Sequence, residues 1–322
     1  MRRRSILALP LLGPPLLAPL ALSLPALAQP RAIRVIVPFG AGGIIDVAAR
    51  LMAEPMGAEL GQTLLIENQP GAGATIGARN VARAAADGQT LLVSGAAHAV
   101  MPALYNDAPD PARDFTPITL ISQQPFLLAV HPSNPARDLP GFLGWLREKR
   151  DTATFGTTGI GAASHLAGEL LKKLAGVDFT VVPYRGTPQA VTDLTAGRLD
   201  FMIDSQTLLA PLARAGQVIG LAVTTPTRSV MLPDLPSIAD VVPGFDSSSW
   251  QGMYAPAGLP APLAARLAAA AAVALARPEL QRRFAEAGLQ MMAPGPDALA
   301  RFLAAETARW VPILQATGAR GG

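Results

Sequence analysis

Apolar positions along this chain follow two alternating rhythms. Short apolar runs at 33–38, 63–67, 90–94, 118–121, 126–131, 153–156, 179–183, 200–203, 219–224 and 251–255 read as strands. Between them lie 44–60, 73–86, 98–104, 139–150, 162–175, 187–196, 207–215, 261–275, 278–287 and 296–316, which read as helices. This alternation predicts an α/β architecture with parallel, doubly wound sheets. The punctuation agrees. Asp138 can cap a helix entered through Pro140, and Gly176, Gly197, Gly216 and Gly288 stand where helices should end. The alanine-rich run 264–276 is helix-forming by propensity, and Pro55 should kink or split the helix 44–60. The pattern breaks twice at proline-rich segments, at 131–135 and near 250–262. Two crossings predict one lobe made from 29–131 and 251–322 and a second from 132–250. Two extended strands would form a hinge between them, with a cleft between the lobes.

The first 28 residues read as an address rather than a fold. Arg2, Arg3 and Arg4 precede an apolar, proline-interrupted stretch at 7–24, and Ala26-Leu27-Ala28 is a small-x-small cleavage site. Cleavage near Ala28 places the mature protein in the periplasm; Arg3-Arg4-Ser5-Ile6-Leu7 leaves the Sec and twin-arginine routes both open. Export also changes the charge. The whole chain has 26 basic and 23 acidic residues; losing three arginines and no acid leaves 23 of each. With neither a net basic field nor a Lys/Arg run, nucleic acid is not an expected partner. There is no cysteine, so no disulfide, thiolate nucleophile or cysteine metal site is available. His98, His131 and His165 lack metal-ligand spacing, no nucleophile or zinc-protease motif occurs, and neither metal nor cofactor is expected.

The candidate chemistry lies in loops. After the strand 33–38 come Phe39, Gly40, Ala41, Gly42 and Gly43, then a helix start carrying Asp46. Glycines leave the backbone bare, and the first N–H groups of a helix have no partner inside it. Together with the helix dipole they make an anion site that needs no arginine. Asp46 either lies in that site or stabilises the helix start, paired with Arg50. A second unit has the same build: Thr157, Thr158, Gly159, Gly161, Ala162, Ser164 and His165 follow the strand 153–156. Adjacent Ser164 and His165 project about 100° apart on a helix and cannot form a nucleophile–base pair. Further cleft candidates are the strand-end residues Ser94, Tyr184, Arg185, Gly186, Thr187, Asp204 and Ser205, and Trp250 near the second crossing. Asp204 could instead cap the helix that follows it.

Eight motifs, in order, resemble the Bug-type periplasmic solute-binding proteins of tripartite tricarboxylate transporters. They are 37–50 (VPFGAGGIIDVAAR), 66–77 (IENQPGAGATIG), 86–92 (ADGQTLL), 114–118 (DFTPI), 159–166 (GIGAASHL), 182–186 (VPYRG), 222–236 (AVTTPTRSVMLPDLP) and 249–262 (SWQGMYAPAGLPAP). The resemblance covers nearly the whole mature chain. It implies a type II-like periplasmic-binding-protein fold, two doubly wound sheets joined by a two-strand hinge, closing on a small carboxylate without catalysis. In that picture the loop at 39–43 holds one end of the ligand with bridging water. The loop at 157–164 near His165 fixes a carboxylate, Asp204 and Ser205 face the cleft, and the protein hands its ligand to a membrane permease as a monomer. Three positions depart from the family pattern: Ile44 is often small or polar there, Ala162 is commonly Ser or Thr, and Ala74 is commonly Gly. With Phe39, Ile45 and Ile160 nearby, the pocket leans towards an aromatic or aliphatic carboxylate. Two rival readings stand beside this one. One is a binding protein that feeds a signalling partner. The other is a dinucleotide-dependent oxidoreductase built on Gly159-x-Gly161.

Overall fold

The computed structural model describes residues 32–321. The predicted signal segment and its cleavage site near Ala28 lie outside these residues. The chain begins with β1 (Ile33–Val37), α1 (Ile44–Leu60), β2 (Leu64–Asn68), α2 (Thr75–Ala82), β3 (Thr90–Ser94) and α3 (Ala96–Leu104). The long β4 (Phe115–Val130) and α4 (Leu139–Lys149) lead into β5 (Thr154–Thr157), α5 (Ala163–Ala175), β6 (Thr180–Pro183), α6 (Thr187–Thr195), β7 (Phe201–Ser205) and α7 (Gln206–Arg214). The chain closes with β8 (Ile219–Val223), β9 (Ser248–Pro256), α8 (Ala261–Ala276), α9 (Pro278–Glu286), β10 (Gln290–Met291) and α10 (Pro296–Thr317). As the sequence suggests, Asp138 caps α4 by accepting from the Gly141 N–H at 2.8 Å.

The strands run in the order β2-β1-β3-β9-β4-β7-β5-β6, with β8 and β10 both paired to β4. Two half-sheets share one plan: β2-β1-β3-β9-β4 and β6-β5-β7-β4-β8. In each, three parallel strands are followed by two antiparallel ones, so the sheets are mixed rather than wholly parallel. The crossing explains this. The parallel strands of both halves end at the junction. A strand passing straight through must run towards it in one half and away from it in the other, which sets β4 against β7. β9 starts at the junction and runs away from it, against β3.

The segments 118–121 and 126–131, separate in the sequence pattern, are one strand. Ser122, Gln124 and Pro125 look like a break, but both polar side chains are buried and each bonds to a neighbouring strand. Ser122 Oγ donates to Gln251 Oε1 at 2.7 Å, and Gln124 Nε2 donates to Ser205 Oγ at 3.1 Å. β4 pairs with β9 up to Pro125 and with β7 from Phe126 onward, so the polar stretch is where it changes partner. α1 runs unbroken through Pro55; Met52, Pro55 and Met56 are all buried, and their packing outweighs the missing hydrogen bond.

The predicted helix 73–86 is shorter, because its start is a left-handed turn: Ala72, Gly73 and Ala74 have φ of 43°, 57° and 76°. A left-handed alanine costs about 1–2 kcal/mol, and glycine loses about 0.5–1 kcal/mol in unfolded-state entropy. Ala74→Gly is therefore expected to stabilise the protein by roughly 0.5–1 kcal/mol in denaturant titration. An unchanged or lower midpoint would mean the turn is not strained.

The core fills both half-sheets. Phe142, Phe155, Phe179 and Phe201 form a fully buried aromatic cluster in the second. α10 packs on β4, α3 and α5 and so spans both halves. Glu306 on α10 accepts from the indole N–H groups of Trp250 (2.8 Å) and Trp310 (2.9 Å). Trp250 is thus held behind the sheet as part of the core.

Candidate functional site

All six parallel strands deliver their following loops to the junction of the half-sheets, and the two glycine loops take equivalent places in them. The first follows β1. α1 has Gly43 as its N-cap residue, with φ −75° and no side-chain capping bond. The Val47 N–H returns to the Gly43 carbonyl. Ahead of it, the N–H groups of Ile44, Ile45 and Asp46 have no hydrogen-bond partner among the described residues. Asp46 does not compete for them. Its Oδ2 accepts from Gly42 N and Arg50 Nε, each at 2.9 Å, and its Oδ1 accepts from Asn68 Nδ2 at 2.9 Å. Asn68 Nδ2 also reaches the Phe39 carbonyl at 3.1 Å. Burial alone would raise the Asp46 pKa, but the bonds from Arg50, Gly42 and Asn68 outweigh it and hold the carboxyl below its usual range. Asp46 thus braces the loop from behind, with Gly42 at φ 81° completing the turn.

The second loop, after β5, repeats the arrangement. Ala162 is the N-cap of α5 and makes no side-chain capping bond. Leu166 N returns to the Ala162 carbonyl, while the N–H groups of Ala163, Ser164 and His165 have no partner among the described residues. Here the brace is Ser164. Its Oγ lies 2.8 Å from Thr157 Oγ1 and 3.1 Å from Thr158 Oγ1, and accepts from Thr158 N at 3.2 Å. His165 Nδ1 accepts from Gly161 N at 3.2 Å. Burial, reinforced by the charge of Lys172, pushes the His165 pKa down to about 4, so the ring is neutral at pH 7 and carries its proton on Nε2. The same geometry disfavours a dinucleotide reading: Ser164 occupies the third glycine position of that fingerprint, and its hydroxyl is engaged in the loop.

These loops bound a cavity of about 40 Å³, room for roughly three waters. Its walls include Phe39, Gly40 and Gly43 from the first loop and Thr158, Ala162 and Ser164 from the second, with Gly186 and Asp204 at further strand ends. Thr187 also lines the wall, and the other sequence candidates lie off it. Ala41 and Gly42 lie within the first loop, and Asp46, Thr157, Gly161 and His165 brace the loops from behind. Ser94 and Ser205 are buried at strand ends, and Trp250 is bound to Glu306. The cavity also takes in Ala96 and Ala97 at the start of α3, Phe126 where β4 changes partner, and Ser249 in β9. Sequence reading had no signal for these four; the repeated loop plan could have flagged only the start of α3, which follows β3 as α7 follows β7. Among the described residues no group of His, Asp or Glu could hold a metal.

Asp204 is the charged side chain in the cavity wall. It is 3% exposed. Its Oδ1 accepts from Ser205 N (2.7 Å) and Thr187 Oγ1 (3.1 Å), while Oδ2 has no partner. Burial pushes its pKa up to about 6, against the lowering effect of those two bonds.

Two bonds join the half-sheets beside the cavity: Gly40 N to the Arg185 carbonyl at 3.2 Å, and Tyr105 Oη to the Ile160 carbonyl at 3.3 Å. A Cβ on Gly40 would sit 2.9 Å from that Arg185 oxygen. Gly40→Ala should therefore hold the β6–α6 turn away and weaken ligand binding about tenfold. Calorimetry would test this, and an unchanged Kd would show that the contact is not needed for closure.

The α/β fold thus places two uncapped helix starts at one small cavity. The profile described as "Tripartite tricarboxylate transporter family receptor" matches residues 48–319. The chain belongs to this receptor family, whose members are binding proteins rather than enzymes. It is similar to the periplasmic binding protein BugD, with 34% identity, TM-score 0.85, and 90% of this chain and 98% of that one covered. MatC (Rpa3494) from Rhodopseudomonas palustris, solved with bound malate, is 35% identical with TM-score 0.83, covering 88% and 99%. Rpa4515 from the same organism, solved with adipate, is 33% identical with TM-score 0.85, covering 90% and 98%.

Proposed function

We propose that this chain is exported to the periplasm, captures a small organic carboxylate between its two lobes, and delivers it to a tripartite tricarboxylate-type membrane permease. The observation that carries the reading is the pair of uncapped helix starts on one cavity, each offering three N–H groups with no lysine or arginine in the wall. Opposed helix N-termini suit an anion with acceptors at both ends. The malate and adipate bound by the two similar receptors support the carboxylate class. The signal-like residues 1–28 and the periplasmic relative support the location.

On this reading the lobes are 29–131 with 251–322, and 132–250, and the hinge uses β4 and β9, whose pairing changes near Pro125. On this reading the lobes part to admit the ligand, and binding selects the closed form. The site residues are Phe39, Gly40, Gly43, Thr158, Ala162, Ser164, Gly186, Thr187 and Asp204, with Asp46, Thr157, Gly161 and His165 bracing them. The test is thermal unfolding of the mature protein, stripped by unfolding and refolding, against a carboxylate panel. A ligand at 100 times its Kd should add about 2.7 kcal/mol, a rise of several degrees. No rise with any carboxylate would overturn the reading.

A further inference from the structure

Within the cavity wall one feature is of opposite sign to an anion site. Asp204 shares the cavity wall with the apolar residues Phe39, Ile44, Ile45 and Phe126. One oxygen is saturated by Ser205 N and Thr187 Oγ1. The other is buried and meets no donor of the protein. A buried acceptor without a donor is costly, and sites built to bond a ligand O–H or N–H discriminate strongly against analogues that lack it. No arginine, lysine or histidine shares this cavity wall, so the protein supplies Asp204 with no counter-charge there.

We infer that the ligand carries a hydrogen-bond donor, a hydroxyl or an ammonium group, that meets Oδ2 of Asp204 while its carboxylate occupies the helix starts. This rests on the carboxylate reading and narrows it, from plain aliphatic or aromatic acids to hydroxy or amino acids. The carboxyl would be mostly ionised at pH 7.5, as an acceptor requires. The small cavity favours a short spacing between donor and carboxylate.

Calorimetry at pH 7.5 on the stripped protein tests this with two matched series: propionate, lactate and alanine, and succinate, malate and aspartate. In at least one series the donor-bearing member should bind about tenfold or more tightly than its unsubstituted partner. Whether lactate and malate or alanine and aspartate win tells hydroxyl from ammonium. Asp204→Asn, which turns a donor towards the ligand, should erase the preference while retaining the unsubstituted acid. Equal binding of substituted and unsubstituted acids by the wild-type protein would overturn the inference and leave the carboxylate reading standing. If no acid in the two series or the wider panel binds, both fall. The wild-type ratio decides the matter even if the variant folds poorly.

Discussion

Gly43→Asp is expected to abolish carboxylate binding, by about 100-fold or more, with no loss of stability. Gly43 is the N-cap of α1 with φ −75°, a conformation open to any residue, and a Cβ there would meet only the Gly40 carbonyl at 3.6 Å. An aspartate at an N-cap accepts from the N–H groups at the second and third helical positions, here Ile45 and Asp46. It would bring a tethered carboxylate to the place proposed for the ligand's. Two carboxylates about 4 Å apart repel by about 4 kcal/mol at an effective dielectric of 20, more than the loss claimed. The cap itself should add a few tenths of a kcal/mol to stability. Gly43→Ala is the control, adding the Cβ without cap or charge, and should bind nearly as the wild type does. Calorimetry and thermal melts on the three proteins suffice. Wild-type affinity in the aspartate variant would mean that the α1 start does not hold the carboxylate. The matching change at Gly161 is a poorer test: its φ is 87°, and a Cβ would come within 2.8 Å of Leu104.

The loops that form this site were legible because their chemistry is local. A strand, a bare glycine turn and an apolar helix start are read from adjacent residues, and the structure places Gly43 and Ala162 as uncapped N-caps. The Ala162 departure from the family's Ser or Thr leaves α5 without a hydroxyl cap, and the N–H groups of Ala163, Ser164 and His165 without a partner among the described residues. What escaped the sequence is non-local. Phe126 and Ser249 reach the cavity only because β4 crosses the junction and β9 starts there. The run at 122–125 looked like a loop because its polar side chains find partners on β9 and β7, far away in sequence. Trp250 read as a pocket wall because an indole near a hinge has that chemistry; its partner Glu306 is 56 residues away. Asp46 could go either way in sequence, and Asn68 on β2 accounts for its role as a brace.

Asp204→Asn should be more stable than the wild type at pH 8 and equal to it at pH 4. The folded protein raises this carboxyl's pKa from 3.8 to about 6, chiefly by burial. Between those values the folded state holds a proton that the unfolded chain has released. Wild-type stability therefore falls as pH rises through this window, and the whole penalty is present above it. Two units correspond to on the order of 2–3 kcal/mol, or roughly 4–6 °C in a protein of this size. Asparagine keeps an oxygen for Ser205 N and Thr187 Oγ1 but does not titrate, so its advantage should grow as pH rises from about 4 to about 6 and level off above that. Melts of the ligand-free proteins from pH 4 to 8 measure the difference directly; a gap that stays constant with pH would show that Asp204 is not held in a desolvated state. Set beside the binding series, the sign is what matters. A carboxyl kept for structure makes the protein weaker when neutralised, whereas one kept for a ligand makes the empty protein stronger and the binding poorer.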